Sequence, residues 1–193
     1  MKVVFLDRDG TINVDHGDVH RNQDWVFTEH AADAIRALRD AGFAIAVVTN
    51  QSAIAAGRYS LADVGKIHEF VQRQLEAAGT RIDAWAICPH GAAEDCPCRK
   101  PRTGMARAIE SKLGAPIDYA ESWTIGDKLS DIGFGQALGT RTALLVSRYW
   151  TTIDPQCQPT LLSESLHDAV REILRQGRLI RTSSPALPTC RET

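Results

Sequence analysis

The chain alternates short apolar runs with stretches of helical period, and no other feature limits its fold as sharply. "KVVFL", "FAIAVVTN", "DAWAIC", "SWTIG" and "RTALLVS" read as strands, with a further short one near "TLLS". "FAIAVVTN" is apolar almost throughout, as a strand covered on both faces must be. Between the strands, Ala31, Ala34, Ile35 and Leu38 recur at helical spacing until Gly42. Leu61, Val64, Ile67, Val71 and Leu75 form the apolar stripe of a longer helix, opened by Ser60 and Asp63 as a capping box and stopped by Gly79. Further helices are expected from about Gly104 to Leu113, after Asp127, and after Ser165 and Asp168, the last with Leu166, Ala169, Val170, Ile173 and Leu174 inward. Strand and helix in turn imply an α/β fold, a doubly wound and mostly parallel sheet with helices on both faces.

A chain of 193 residues, 44% of them hydrophobic, can bury one full core and needs no second domain. Residues 1–176 are read as that domain, and 177–193, rich in Ser, Pro, Thr and Arg without period, as a frayed tail. A net charge of −2 gives no basic footprint for nucleic acid or an anionic membrane, so a small soluble partner is expected. No basic-then-apolar leader precedes the first strand, and no apolar run approaches the roughly 18 to 20 residues that span a bilayer. A cytoplasmic, monomeric protein is the expectation.

In a parallel sheet, ligands bind at the carboxyl ends of the strands. Three polar clusters fall there: Asp7 and Asp9 in "DRDGT", Thr49 and Asn50 in "VVTN", and Asp127 in "IGDKLSD". Each alone reads as a turn, but together they converge on one edge. Carboxylates gathered in one crevice repel one another and imply a cation, and hard oxygen ligands suit Mg2+ with a substrate phosphate oxygen. Lys100, otherwise an ordinary surface lysine, can hold a carboxylate nucleophile and neutralise a transferring phosphoryl group. Thr49 and the Asn50 amide can donate to phosphate oxygens.

The order "DRDGT", "VVTNQS", "RKP" and "GDKLSD" resembles the four motifs of the haloacid dehalogenase-like (HAD) phosphohydrolases over roughly residues 2 to 146. The resemblance implies a Rossmann-like HAD fold with Asp7 as the nucleophile that forms an aspartyl-phosphate, a mode open to carboxylates. Asp9 would protonate the leaving alkoxide and then deprotonate water. Thr49 would bind the phosphoryl oxygens, Lys100 would be the motif-three cation, and Asp127 would ligate Mg2+ with Asp7 and the main-chain carbonyl of Asp9. Asp131 is either a water-mediated metal contact or a helix-face acid.

"CPHGAAEDCPC" offers Cys88, His90, Cys96 and Cys98, the ligand set of a closed structural Zn2+ site, although one residue between Cys96 and Cys98 is tighter than finger spacing. The alternative is reduced surface thiols. This loop, with "NVDHGDVH" and "CRKP", resembles the D,D-heptose 1,7-bisphosphate 7-phosphatases and, more distantly, the histidinol-phosphatases. That resemblance implies a hydrolase that removes the 7-phosphate of D-glycero-D-manno-heptose 1,7-bisphosphate, in the making of nucleotide-activated heptose for lipopolysaccharide or another surface glycan. Helices and the zinc loop use up the sequence between motifs, so the protein is expected to be capless, with specificity left to short loops. The candidates are Asn13, Asp15, His16, Gly17, His20, Asn50, Gln51, Ser52, Arg99 and Lys128. Arg99 suits a second phosphate because its planar fork binds oxygens bidentately.

Ala53 stands where this family commonly has glycine, and Thr103 where a second proline is common, which weakens transfer of a particular substrate. Two rivals remain. One is a histidinol-phosphate phosphatase of the same type. The other is a non-enzymatic phospho-acceptor domain, whose acceptor aspartate would end a middle strand, where this sequence has Thr49 and Asn50.

Overall fold

A computed structural model describes residues 1–182. Six strands form one sheet: β1 (Val3–Leu6), β2 (Ala44–Asn50), β3 (Ala84–Cys88), β4 (Trp123–Gly126), β5 (Arg141–Leu145) and β6 (Leu161–Ser163), in the order β3-β2-β1-β4-β5-β6. All five pairings are parallel. Among the described residues, five α-helices accompany them: α1 (Ala31–Asp40), α2 (Leu61–Ala77), α3 (Gly104–Leu113), α4 (Leu129–Leu138) and α5 (Leu166–Thr182).

The period of two in each strand sends alternate side chains to two separate cores. Val4 and Leu6 of β1, with Ile45 and Val47 of β2, pack under Ile35 and Leu38 of α1, Ile67 and Val71 of α2, and Val170 and Ile173 of α5. Val3 and Phe5, with Ala46 and Val48, meet Met105, Ala106 and Ile109 of α3 and Phe134 of α4 on the other face. The capping box at Ser60 forms in both directions. At α5, the Ser165 Oγ likewise accepts the Asp168 amide at 3.1 Å.

Only α1 and a short 3-10 turn at Asn22–Asp24 lie between β1 and β2, and only α2 lies between β2 and β3. No cap domain is inserted at either place. The helix α5 runs on to Thr182 across the point where a tail was expected from Gly177. The aperiodic composition after residue 176 does not end the helix, which packs on α1. The rest of that expected tail, 183–193, lies outside the described residues. Among the described residues, no helix is long and apolar enough to cross a membrane.

Candidate active site

The chain winds outward from β1 to β3 and then restarts at β4 on the other side of β1, so the sheet reverses between β1 and β4. Strand ends diverge at such a point and leave a crevice. Asp7 and Asp9 leave β1 on one side of it, and Asp127 leaves β4 on the other, with the Asp7 amide donating to the Ile125 carbonyl at 2.9 Å. Gly10 sits at φ +87°, and a β-carbon there would stand 2.3 Å from an Asp127 oxygen. A β-carbon on Gly126 would stand 2.2 Å from Asp131. Both motif glycines are therefore dictated by carboxylates pressed against backbone.

The oxygens of Asp7, Asp127 and Asp131 converge within 4.8 Å of one another, all buried. Lys100 reaches this cluster from the loop after β3. Its Nζ donates to Asp7 Oδ1 at 2.6 Å and to the Val48 carbonyl at 2.7 Å, and lies 2.7 Å from Asp131 Oδ1. Burial opposes its charge, but Asp131 and Asp7 outweigh burial and hold its pKa above the ordinary lysine value. Asp131 Oδ2 accepts the Lys128 amide at 3.0 Å and so caps α4. Its two oxygens thus serve Lys100 and the helix end.

Asp127 has no such relief. It is 1% exposed, neither carboxylate oxygen has a hydrogen-bond partner, and the nearest ammonium, Lys128 Nζ, is 3.4 Å away. Burial first, and then the charge of Asp7, push its carboxyl up to about 7. A buried carboxylate left without donors beside two others is a costly arrangement unless a cation completes it. The donor set, hard oxygens next to an open cavity, fits Mg2+.

Asp9 is caged instead. Arg8 donates from Nε to Oδ2 at 3.0 Å and from Nη2 to Oδ1 at 2.9 Å, Asn13 Nδ2 donates to Oδ1 at 3.0 Å, and Gln51 Nε2 donates to Oδ2 at 2.8 Å. Arg8 is wholly buried, which sequence reading missed because an arginine between two acids looks like a solvated turn residue. Gln51 is a hub, since the same amide also donates to Thr49 Oγ1 at 2.8 Å while its carbonyl accepts from Tyr59 Oη at 2.5 Å.

Asp7, Asp9, Thr49, Gln51, Lys100 and Asp131 floor a cavity of about 280 Å³. Of the residues expected there from sequence, Asp7, Asp9, Thr49, Lys100, Asp131, Asp15, Gly17, Asn50, Gln51, Ser52, Arg99 and Lys128 line it. Asn13, His16, His20 and Asp127 do not, Asp127 lying buried beside Asp7 and Asp131. Asn13 is buried behind Asp9, His16 is exposed, and the His20 ring is stacked on Tyr59 with centroids 4.7 Å apart. The Asn50 side chain faces the Lys100 segment, accepting the Lys100 amide at 3.0 Å and donating to its carbonyl at 3.3 Å. Arg58, Tyr59 and Tyr149 line the cavity unforeseen, because no local pattern marks them.

Beyond Lys100, Cys88, His90, Cys96 and Cys98 gather in one cluster. Cys96 Sγ lies 3.7 Å from both Cys88 Sγ and Cys98 Sγ, and His90 Nδ1 lies 3.6 Å from Cys88 Sγ and 3.2 Å from Cys98 Sγ. A tetrahedron with Zn–S bonds of about 2.3 Å has edges of roughly 3.8 Å. The cluster therefore has the size of a closed four-ligand metal site, and these sulfurs are too far apart for disulfides.

The family model for polynucleotide kinase 3 phosphatase matches residues 2–141. A D-glycero-beta-D-manno-heptose-1,7-bisphosphate 7-phosphatase of Haemophilus ducreyi is 41% identical over 152 residues, covering 75% of this chain and 82% of that protein. The protein of the same name from Escherichia coli strain K12 is 38% identical over 184 residues, 91% of this chain and 95% of its own. Among solved structures, D,D-heptose 1,7-bisphosphate phosphatase from B. bronchiseptica, complexed with magnesium and phosphate, superposes with a TM-score of 0.76 at 28% identity, covering 91% of this chain and 99% of that one. The phosphatase of that name from Burkholderia thailandensis gives 0.63 at 28% identity, covering 90% and 99%. With its four sequence motifs gathered at the carboxyl edge of the sheet and this extent of likeness, the chain belongs to the HAD-like phosphatases, in the family of the D-glycero-beta-D-manno-heptose-1,7-bisphosphate 7-phosphatases.

Proposed function

We propose that the protein is a Mg2+-dependent phosphatase that removes the 7-phosphate of D-glycero-β-D-manno-heptose 1,7-bisphosphate, a step toward nucleotide-activated heptose. The observation that carries the reading is Asp127, buried with no hydrogen bond to either oxygen and only Lys128 Nζ in ion-pair reach at 3.4 Å, beside an Asp7 that Lys100 already holds. Asp7, Asp127 and the Asp9 carbonyl would hold the ion, which when bound offsets negative charge on the transferring phosphoryl group.

Asp7 is the nucleophile in this reading. Lys100 orients it through Oδ1 and leaves the other oxygen to attack phosphorus as the bond to the sugar oxygen breaks. Asp9 delivers a proton to the departing alkoxide. It then takes one from the water that cleaves the aspartyl-phosphate, which restores Asp7 and releases phosphate. The Arg8, Asn13 and Gln51 donors fix the Asp9 carboxyl group in place for both transfers. Thr49 supplies a hydroxyl to the phosphoryl oxygens. Arg99 lines the cavity with its Nη1 on the His90 carbonyl at 3.1 Å, and it forms no ion pair among the described residues, as an anchor for the sugar's other phosphate should.

The cysteine cluster holds Zn2+ in this account and acts on chemistry through the backbone, because Cys98 is followed directly by Arg99 and Lys100. Replacing Cys96 with Ser is expected to abolish bound zinc. The loss of about 3 kcal/mol or more corresponds to a melting point roughly 6–12 °C lower. Metal analysis and calorimetry check this, and a zinc-free variant of unchanged melting point would rule out the structural role.

The function itself is tested by phosphate release with Mg2+ from the β and α anomers of the heptose bisphosphate and from histidinol phosphate. The β anomer is expected to give the largest kcat/KM. Preference for histidinol phosphate would replace this reading with its nearest rival.

A further inference from the structure

The segment that follows β5 takes no part in the chemistry above, yet it forms one wall of the cavity. Ser147 Oγ donates to the Asp127 carbonyl at 2.6 Å, and the Tyr149 amide donates back to Ser147 Oγ at 3.2 Å. Trp150 Nε1 fastens the same turn to the Leu145 carbonyl at 3.2 Å. From this anchored turn, Tyr149 Oη donates at 2.6 Å to Asp15 Oδ2 in the loop after β1. Lys128 Nζ lies 4.3 Å from the centre of the Tyr149 ring and 3.6 Å from Asp15 Oδ2. Tyr149 and Asp15 both line the cavity, and Tyr149 remains 45% exposed.

This wall differs in chemistry from the one that holds Arg99. Burial works against the Asp15 charge, but the Tyr149 hydroxyl, the Gly17 amide and Lys128 outweigh it and keep the carboxyl below its ordinary value. The carboxylate accepts one bond from Gly17 at 2.8 Å and one from Tyr149, and a carboxylate has about four acceptor positions. The Tyr149 oxygen also accepts from Arg148 Nη2 at 3.1 Å, so it is mainly the remaining acceptor positions of the Asp15 carboxylate that suit hydroxyl groups. Lys128 and Arg148 offset the Asp15 charge, so what this wall offers is a set of placed acceptors for hydroxyl groups rather than a repulsive field.

We propose that Tyr149, with Asp15, is a specificity-determining pair that receives the hydroxyl-bearing edge of the sugar and thereby turns the second phosphate toward Arg99. The proposal rests on the sugar-bisphosphate reading and adds to it a residue from the loop after β5. The substrate class it selects is a polyhydroxylated bisphosphate whose hydroxyls and distal phosphate lie on opposite sides.

The test compares Tyr149→Phe and Tyr149→Ala with the wild type on two substrates, the β-heptose bisphosphate and p-nitrophenyl phosphate, which carries neither hydroxyls nor a second phosphate. One lost hydrogen bond to a charged partner is worth about tenfold. The ratio of the two kcat/KM values is expected to fall roughly tenfold in each variant, through KM for the bisphosphate. A ratio within twofold of wild type would overturn the proposal, and so would an equal loss on both substrates with a lowered melting point, the signature of a loop prop. A wild-type protein active on p-nitrophenyl phosphate but inert toward the bisphosphate would overturn the substrate reading and this proposal together. The wild-type measurement thus separates the two failures.

Discussion

Asp7→Asn is expected to lower kcat by at least about 10⁴-fold while leaving the metal-free protein as stable as the wild type or more so. The catalytic part follows from nucleophilic catalysis, since an amide oxygen in the same place cannot form an acyl phosphate that water then resolves. The stability part follows from the charge arrangement. Three buried carboxylates, Asp7, Asp127 and Asp131, share the neighbourhood of one buried ammonium, so neutralising one relieves repulsion while Asp131 still pairs with Lys100 at 2.7 Å. Acid-quenched single turnovers with labelled substrate check the first part, since protein-bound phosphate should build up in the wild type and be absent from the variant. A melting scan without added metal checks the second. Turnover retained by purified Asp7→Asn would end the covalent mechanism.

Lys100→Met should shift stability the other way. Removing the ammonium leaves Asp7 and Asp131 buried without their shared cation, and breaking a buried pair from one side costs about 3–5 kcal/mol. For a chain of this size that lowers the melting point by roughly 10 °C. Phosphoryl transfer should fall by about 10²–10³-fold, the scale for losing one preorganised electrostatic contact. Calorimetry and steady-state kinetics on the same preparation read both effects. The opposite signs at Asp7 and Lys100 are the useful contrast, because general loosening of the site would lower both melting points. An unchanged melting point in Lys100→Met would show that the Lys100 pairs contribute nothing net.

Ser60 and Asp63, Gly79, Gly104 and Leu113 mark helix ends in the sequence and in the structure alike. Such signals are legible because they depend on groups a few residues apart, as in the Ser60 and Asp63 capping box and the positive-φ glycines Gly79 and Gly114. The placement of Asp7, Asp9, Thr49 and Asp127 at strand ends was equally legible, since a parallel sheet puts all of its carboxyl ends on one edge. Gly177 shows the limit of local reading. The aperiodic composition from there on suggested a tail, but α5, which packs on α1, runs to Thr182.

The sequence by itself determined the alternating elements, the doubly wound sheet and the set of acids and lysine at its edge, because helix and pleat periods arise from short-range geometry. Only the tertiary structure decided which ionisable groups meet. Asp131, left open between metal contact and helix-face acid, pairs with Lys100 and caps α4. Arg8 turns inward to cage Asp9, Gln51 joins Tyr59 to the same carboxylate, and His16 and His20 stay off the cavity surface. Tyr149 finds Asp15 across 134 residues of sequence. The cost of burying a charge without a partner selects such pairings, and it acts only once the chain has closed and water has been excluded, so nothing in the local pattern records it.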